Sequence, residues 1–329
     1  MIFLTGGTGL LGLHILEDQR HRGGDVLALA RHPRAAAALA RGGARQLHGD
    51  VTDPATWDRV EGVRGIVHVA AVIAGDDRWD AYQAVNVEAT RLAARRARRL
   101  GVPLIHISSI AVYDEPAGRE APGAVTEDYP FGSRTRGSYY ARSKRLAEDV
   151  VREEMDRGLR AVILRPCVVY GPGDRLFLPN VVRHARRGFF PLVGSGRRPL
   201  VLVHARNVAT AVALALDDPR ALGGTFNVTQ DGELTGLGFV AGLAEGLGHP
   251  VRPVHVPVLL AAGGAAAADA LRRALGRHFP GYRSAVRFLR GGNPYESTAL
   301  AARLGWQPVA RHATAFPAAV REAAGRPAP

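Results

Sequence analysis

The chain has 329 residues, 47% of them hydrophobic and 22% charged, the composition of a globular protein of one large or two modest domains. One cysteine, Cys167, excludes an intramolecular disulfide and points to a reducing cytoplasm, and the twelve scattered histidines hold no HExxH-type set, so no metal is expected. A net charge of +13 would suit nucleic acid, but the arginines run through the whole chain and the densest run, RLAARRARRLG at 91–101, has the spacing of a solvated helix face without interleaved aromatics; no nucleic-acid partner is expected, and anionic small molecules fit the charge equally well.

Taken in order, MIFLTG, DVLALAR, RQLHGDV, GIVHVAA and PLIHISS read as strands, each a brief apolar run followed by turn chemistry. Helices lie between them, clearest at 10–22 and 85–100. The alternation predicts an α/β fold, a Rossmann-type doubly wound parallel sheet, with a smaller C-terminal α/β substrate domain. The Gly- and Pro-rich stretch YDEPAGREAPGAVTEDYPFGSRTRG reads as a long functional loop. A helix over 138–157 and the strand AVILRPCVVYG follow; VLVHARNVATAVALAL and GTFNVT then return to the sheet. The expected division is 1–170 with 200–235 as the dinucleotide-binding domain, and 171–199 with 236–329 as the substrate domain.

A leader and a membrane span are not expected. The strand-like run starts at Met1, and the longest apolar tract, 256–268, is broken by Pro257 and closed by Asp269, short of the roughly 20 residues a span needs. A packed Ala-rich helix is expected there; a helix lying on a surface is the alternative, because Arg272, Arg273 and Arg277 follow.

TGGTGLLG follows the first strand and opens the first helix, with Gly6, Gly9 and Gly12 spaced by three. Glycines there allow a tight turn, close approach of a pyrophosphate and packing of helix on strand, while the helix N-terminus holds the phosphates. The binding turn is thus Gly6, Thr8, Gly9, Leu10, Leu11 and Gly12. At the end of the second strand stands Arg31, where an acid would accept a ribose 2′-hydroxyl and an arginine would pair with a 2′-phosphate. NADP is preferred over NAD on this ground, with an ordinary surface arginine as the competing reading.

Lys144 is the only lysine; all the other basic residues among the 43 are arginines. Tyr140 and Lys144 stand four apart on a helix and so leave the same face. A free phenol titrates near pH 10, and bringing it to about 7 takes roughly 4 kcal/mol, which an ammonium in a dry pocket and the positive nicotinamide ring can supply. An arginine's planar fork would replace that compact charge poorly. HISSIAVY ends a strand in Ser108 and Ser109, either of which fits a substrate-holding hydroxyl or a strand-end cap. His68, His106 and His204 read as packed strand residues, and Cys167 as a buried neighbour of the cofactor.

TGGTGLLG, HVAA, NVEAT, ISSIAVY, YYARSK and LRPCVVYGPGD together resemble the extended short-chain dehydrogenases/reductases, the NAD-dependent epimerase/dehydratase superfamily, over nearly the whole chain. The resemblance implies Tyr140 and Lys144 as the catalytic pair and Ser109 as the catalytic serine. It further implies cofactor contacts at Asp50, Val51, Val69, Ala70, Ala71, Asn86, Pro166, Val168 and Val169, and a homodimer through the helices of 85–100 and 140–157.

Nucleotide-sugar members carry a diphosphate-binding arginine where this chain has Leu200. The stretch from GPGDRLFLPNVV to VLVHARNVATA is more similar to the 3β-hydroxysteroid dehydrogenase and dihydroflavonol reductase branch, implying a lipophilic or polycyclic substrate near Ser109, Tyr113, Phe131, Phe177 and Leu192. That branch commonly has an acid in the place of Arg31, which leaves the direction of hydride transfer open. The reading is an oxidoreductase, a ketoreductase or its reverse. A nucleotide-sugar epimerase/dehydratase and a non-catalytic NADP-sensing regulator are the alternatives.

Overall fold

The computed structural model describes residues 1–73, 78–113, 125–131, 133, 138–229, 233–274 and 282–325. The strands are β1 Ile2–Thr5, β2 Val26–Ala30, β3 Arg45–His48, β4 Ile66–His68, β5 Leu104–Ile107, β6 Ala161–Pro166, β7 Val168–Tyr170, β8 Phe189–Val193, β9 Leu202–His204, β10 Thr225–Val228 and β11 Arg252–Val256. The helices are α1 Leu10–His21, α2 Pro33–Arg41, α3 Pro54–Asp58, α4 Trp79–Tyr82, α5 Ala89–Leu100, α6 Tyr139–Met155, α7 Leu178–Ala185, α8 Ala205–Asp217, α9 Gly236–Leu247, α10 Val258–Ala274, α11 Tyr282–Arg290, α12 Thr298–Leu304 and α13 His312–Gly325. A π-helical turn, Gln83–Glu88, joins α4 to α5.

The chain forms two units. The first comprises Met1–Cys167, Ala205–Thr229 and Tyr295–Gln307. Its seven parallel strands run in the order β10-β6-β5-β4-β1-β2-β3. β1 is buried throughout and pairs on one side with β2, Ile2 opposite Val26, and on the other with β4, Phe3 opposite Ile66. A strand buried on both faces must be apolar at every position, and IFLT very nearly is. Strand order reverses at β1, so the doubly wound sheet has its switch point at the C-terminal ends of β1 and β4. α5 packs on α6, and its buried Ala93, Ala94 and Ala97 lie in a core with Val151 of α6, Ile66 and Leu104, while Arg91, Arg95 and Arg98 pair with acids of α6; the basic run is a helix face.

The second unit comprises Val168–His204, Gln230–Pro294 and Pro308–Pro329. It holds two parallel two-stranded sheets, β8 with β11 and β7 with β9. Tyr170, Leu192, Leu200, Phe239 and Phe316 lie in its core with residues of α7, α9 and α13.

Five expectations need correction. AVILRPCVVYG is two strands, because the Cys167 amide donates to the Val228 carbonyl at 3.3 Å and the chain leaves the main sheet after it. VLVH (β9) therefore pairs with β7 and not with the main sheet. The division of the chain falls at 167, 204 and 229, and residues 295–307 join the first unit: the Thr229 amide donates to Ser297 Oγ at 2.7 Å and Trp306 Nε1 to the Asn207 carbonyl at 3.1 Å. Residues 85–100 are not one α-helix, since the π-turn interrupts them. Finally, α10 is not packed: among its described residues only Ala265 is buried.

Candidate active site

The glycine turn is built by steric necessity. Gly6 has φ +70°, and a Cβ there would lie 2.8 Å from the Ala70 nitrogen; a Cβ on Gly12 would lie 2.2 Å from the Gly6 oxygen. One glycine lets the chain turn and β4's continuation approach, the other lets α1 sit on the turn. The Thr5 hydroxyl accepts from the Val69 and Ala70 amides at 3.1 and 3.2 Å. With both acceptor positions used, it donates to His68 Nδ1 at 2.9 Å. Burial, then the Lys144 ammonium, lowers the His68 pKa to about 3, so the ring is neutral and can accept. Residues 69–71 are thereby fixed beside the turn.

Gly9 caps α1 without a side chain, and the first turn of α1 has no acid. By contrast His32, Asp53, Ser138 and Thr235 each cap the helix that follows them. The amides at the start of α1 are thus left for an external anion, and Gly9 is exposed in front of them. These features fit a dinucleotide pyrophosphate held by Gly6, Thr8, Gly9, Leu10, Leu11 and Gly12.

Ser138 Oγ accepts from the Ala141 amide at 3.2 Å and starts α6, which presents Tyr140 and Lys144 one turn apart. The Ser109 side chain lies close enough to the Tyr140 phenol to act on it. Lys144 is 3% exposed and donates from Nζ to the Ile107 carbonyl at 2.7 Å. Burial lowers its pKa to about 8, with Glu148 acting in the opposite sense. Tyr140 goes the other way: burial raises its pKa, Ser109 lowers it and Tyr82 adds to the rise. The expected depression by Lys144 is therefore not a property of the protein alone, since the ammonium is turned to the end of β5.

Asn86 couples the two halves of the site. Its Oδ1 accepts from the Val72 amide at 2.7 Å, and its Nδ2 donates to the Val72 carbonyl and to Ser143 Oγ, both at 2.9 Å. Ser143 Oγ donates on to the Tyr140 carbonyl at 2.8 Å. Expected beside the cofactor, Asn86 instead spends its amide on the protein and positions residues 69–72 against the catalytic turn. It sits on the π-helical turn, whose extra residue aims a side chain that regular α geometry would turn away.

Ser108 and Ser109 divide their roles. Ser108 Oγ donates to Glu148 Oε1 at 2.5 Å, whereas Ser109 faces Tyr140. Glu148, fully buried, also accepts from Arg165 Nε and Nη2 at 3.0 and 2.9 Å and from Arg152 Nη2 at 2.7 Å. Arg165 Nη1 donates to the Tyr113 hydroxyl at 2.6 Å and the Glu127 carbonyl at 3.0 Å, and the Tyr113 hydroxyl donates to Asn227 Oδ1 at 2.7 Å. Phe131 lies under the guanidinium groups of Arg152 and Arg165, each 4.9 Å from its ring centre. Tyr113, expected against substrate, is thus buried within an ionic network, while Phe131, expected there too, is half-buried at its edge. Arg145 gathers the carbonyls of Val112 and Ser133 in the same region.

Arg31 is exposed at the end of β2 and acts on Asp50. Burial pushes the Asp50 carboxyl up, but bonds from the Thr52 amide and hydroxyl, with Arg31, leave it below the usual range. Val51 follows at the end of β3, its carbonyl taken by Trp57 Nε1 at 2.8 Å. Pro166 is buried at the end of β6. In the second unit Val168 is exposed and Val169 half-buried on β7, and Phe177 packs against the core. Leu192, 1% exposed, is a core residue and not a wall. Leu200 is likewise buried in the core of the second unit. Part of the long loop, 114–124, 132 and 134–137, lies outside the described residues, as does Arg277.

Reading the sequence missed Thr5, Ser143, Glu148 and Arg165. Two signals were there: Glu148 follows Lys144 by one further helical turn, and Arg165 is a charge inside an apolar strand. Among the described residues no group of three His, Cys, Asp or Glu side chains could hold a metal ion.

Residues 2–229 match the model of the NAD dependent epimerase/dehydratase family. A 2-alkyl-3-oxoalkanoate reductase of Stenotrophomonas maltophilia is 33% identical over 66% of this chain and 65% of that protein. Sterol demethylase protein B of Methylococcus capsulatus is 32% identical over 94% of each chain. Among solved structures, gox2253 superposes with a TM-score of 0.77 at 24% identity, covering 98% of this chain and 96% of that one, and shares the fold.

Proposed function

The chain belongs to the NAD dependent epimerase/dehydratase family, an extended short-chain dehydrogenase/reductase, and from that premise we propose that it reduces a carbonyl group on a lipophilic or polycyclic metabolite, with NADP(H) as preferred cofactor. The observation that carries this reading is the placing of Tyr140, with Ser109 acting on its phenol, one helical turn from the buried Lys144 on α6. When bound, the nicotinamide supplies the hydride. A phenol whose pKa burial has raised stays protonated at neutral pH, so Tyr140 is set as an acid and donates its proton to the substrate oxygen. The Ala111 amide, 3.2 Å away, donates to Ser109 Oγ, which orients the Ser109 hydroxyl to hold that oxygen. Lys144, its ammonium on the Ile107 carbonyl one turn from the tyrosine, would hold the cofactor ribose, and Arg31, exposed at the end of β2, would pair with a 2′-phosphate.

The names of the two relatives, a reductase of alkyl oxoalkanoates and a sterol-processing protein, favour an oily carbonyl substrate. The buried Leu200 speaks against a nucleotide sugar. The same reading extends to a cytoplasmic homodimer paired through α5 and α6, a state that sedimentation velocity measures. For the chemistry, Tyr140→Phe is expected to keep NADPH affinity within about twofold and to lower kcat at least about a hundredfold; unchanged turnover removes Tyr140 from the role. For the cofactor, Arg31→Ala is expected to abolish a preference for NADPH over NADH in nicotinamide fluorescence titrations; a preference unchanged by the variant makes Arg31 an ordinary surface residue.

A further inference from the structure

Among its described side chains, the helix α10 has its polarity inside out. Every described residue of α10 that is exposed is Leu, Ala or Gly, and Leu259, Leu260 and Leu271 are 87, 69 and 63% exposed. A soluble helix turns its polar side chains to water, and here the one described acid is withdrawn from it: the Asp269 carboxylate accepts the Tyr282 and Arg283 amides at 2.6 and 3.2 Å and so caps α11. α11 is anchored in turn, with Phe288 and Leu289 packed on the core of the second unit. Behind the bare apolar face, therefore, stands a fixed support, and Tyr282, half exposed, lies at the junction.

Charge identifies the occupant. From Pro257 to Pro294 the sequence has Asp269 as its only acid against Arg272, Arg273, Arg277, Arg283, Arg287 and Arg290. Arg283 and Arg287 are exposed on α11. A second copy would bring an equally positive segment against this one, at a cost in repulsion; a surface of anionic lipid headgroups over hydrocarbon answers both the charge and the leucines. No described helix is long and apolar enough to cross a membrane, so α10 would lie in the interface plane.

We propose that α10, supported by α11, docks this protein on the surface of an anionic lipid bilayer. Binding of this kind does not depend on the reaction proposed above. The test is co-flotation of the full chain with vesicles of phosphatidylcholine containing phosphatidylglycerol, and with phosphatidylcholine alone, at low and high salt. Wild type is expected to float with the anionic vesicles, less so at high salt and less with neutral ones. The double variant Leu259→Glu, Leu260→Glu is expected to lower the partition coefficient at least about tenfold, and Leu271→Glu, at the other end of the helix, to act in the same direction. Circular dichroism and NADPH affinity of the variants should match wild type, since these side chains support no core. Two results overturn the proposal: anionic vesicles that retain wild type no better than the double variant, or a wild-type dimer seen by light scattering that the double variant dissociates with vesicle binding unchanged, which would assign the face to a second copy.

Discussion

Replacing Lys144 with methionine should make the protein more stable and inactive. The ammonium is 3% exposed, and burial lowers its pKa from 10.5 to about 8. A base with a lowered folded pKa binds fewer protons in the folded than in the unfolded chain between those two values. Below pH 8 the penalty is present in full, and it is released as the pH rises towards 10.5. Its size at neutral pH is about 3 kcal/mol. Against it stands the 2.7 Å bond to the Ile107 carbonyl, worth about 1 kcal/mol net, so Lys144→Met gains about 2 kcal/mol at neutral pH. Urea unfolding followed by circular dichroism between about pH 7 and pH 10 reads both quantities: wild type gains stability with pH at up to about 1.4 kcal/mol per unit, the variant lacks that rise, and the two curves converge near the alkaline end. A variant less stable than wild type at pH 7, or two parallel curves, would refute the reasoning. Activity of the variant is expected to fall below detection in either event.

The buried ion pair lends itself to a double-mutant cycle. Arg165→Leu alone strands Glu148 with Arg152 and Ser108 and should cost about 3–5 kcal/mol, whereas Arg165→Leu with Glu148→Leu should cost clearly less than the two single changes summed; additive losses in urea unfolding would mean that the pair is not coupled. Gly12→Ala puts a methyl 2.2 Å from the Gly6 oxygen and should raise the Kd for NADPH at least about tenfold, an effect that an unchanged fluorescence titration would deny.

Legibility followed range. The glycine turn and the Tyr140–Lys144 pair are local patterns, spaced by the geometry of one turn and one helix, and both are where their spacing puts them. The strands of the main sheet announce themselves because parallel strands buried on two faces have to be apolar. Glu148, Arg165 and Asn227 come from three separate elements and Tyr113 from the chain after β5, and in a chain so rich in arginine nothing local separates a buried guanidinium from a surface one. The exposure of α10 was hidden for a different reason: an Ala, Leu and Gly run has no polar face whose direction could be read, so packed and bare helices look alike in sequence.

The attachment of residues 295–307 to the first unit has a consequence for biosynthesis. β10 is an edge strand, and α12 packs against it, with the Arg303 guanidinium over the Phe226 ring at 5.8 Å. A ribosome adding roughly 5–20 residues per second delivers that cover several seconds after β10 itself. Until then the nascent sheet offers an unprotected strand to any neighbour able to pair with it. The first unit is completed only when residues 295–307 arrive, and holdase chaperones should find a claim on the chain during that interval.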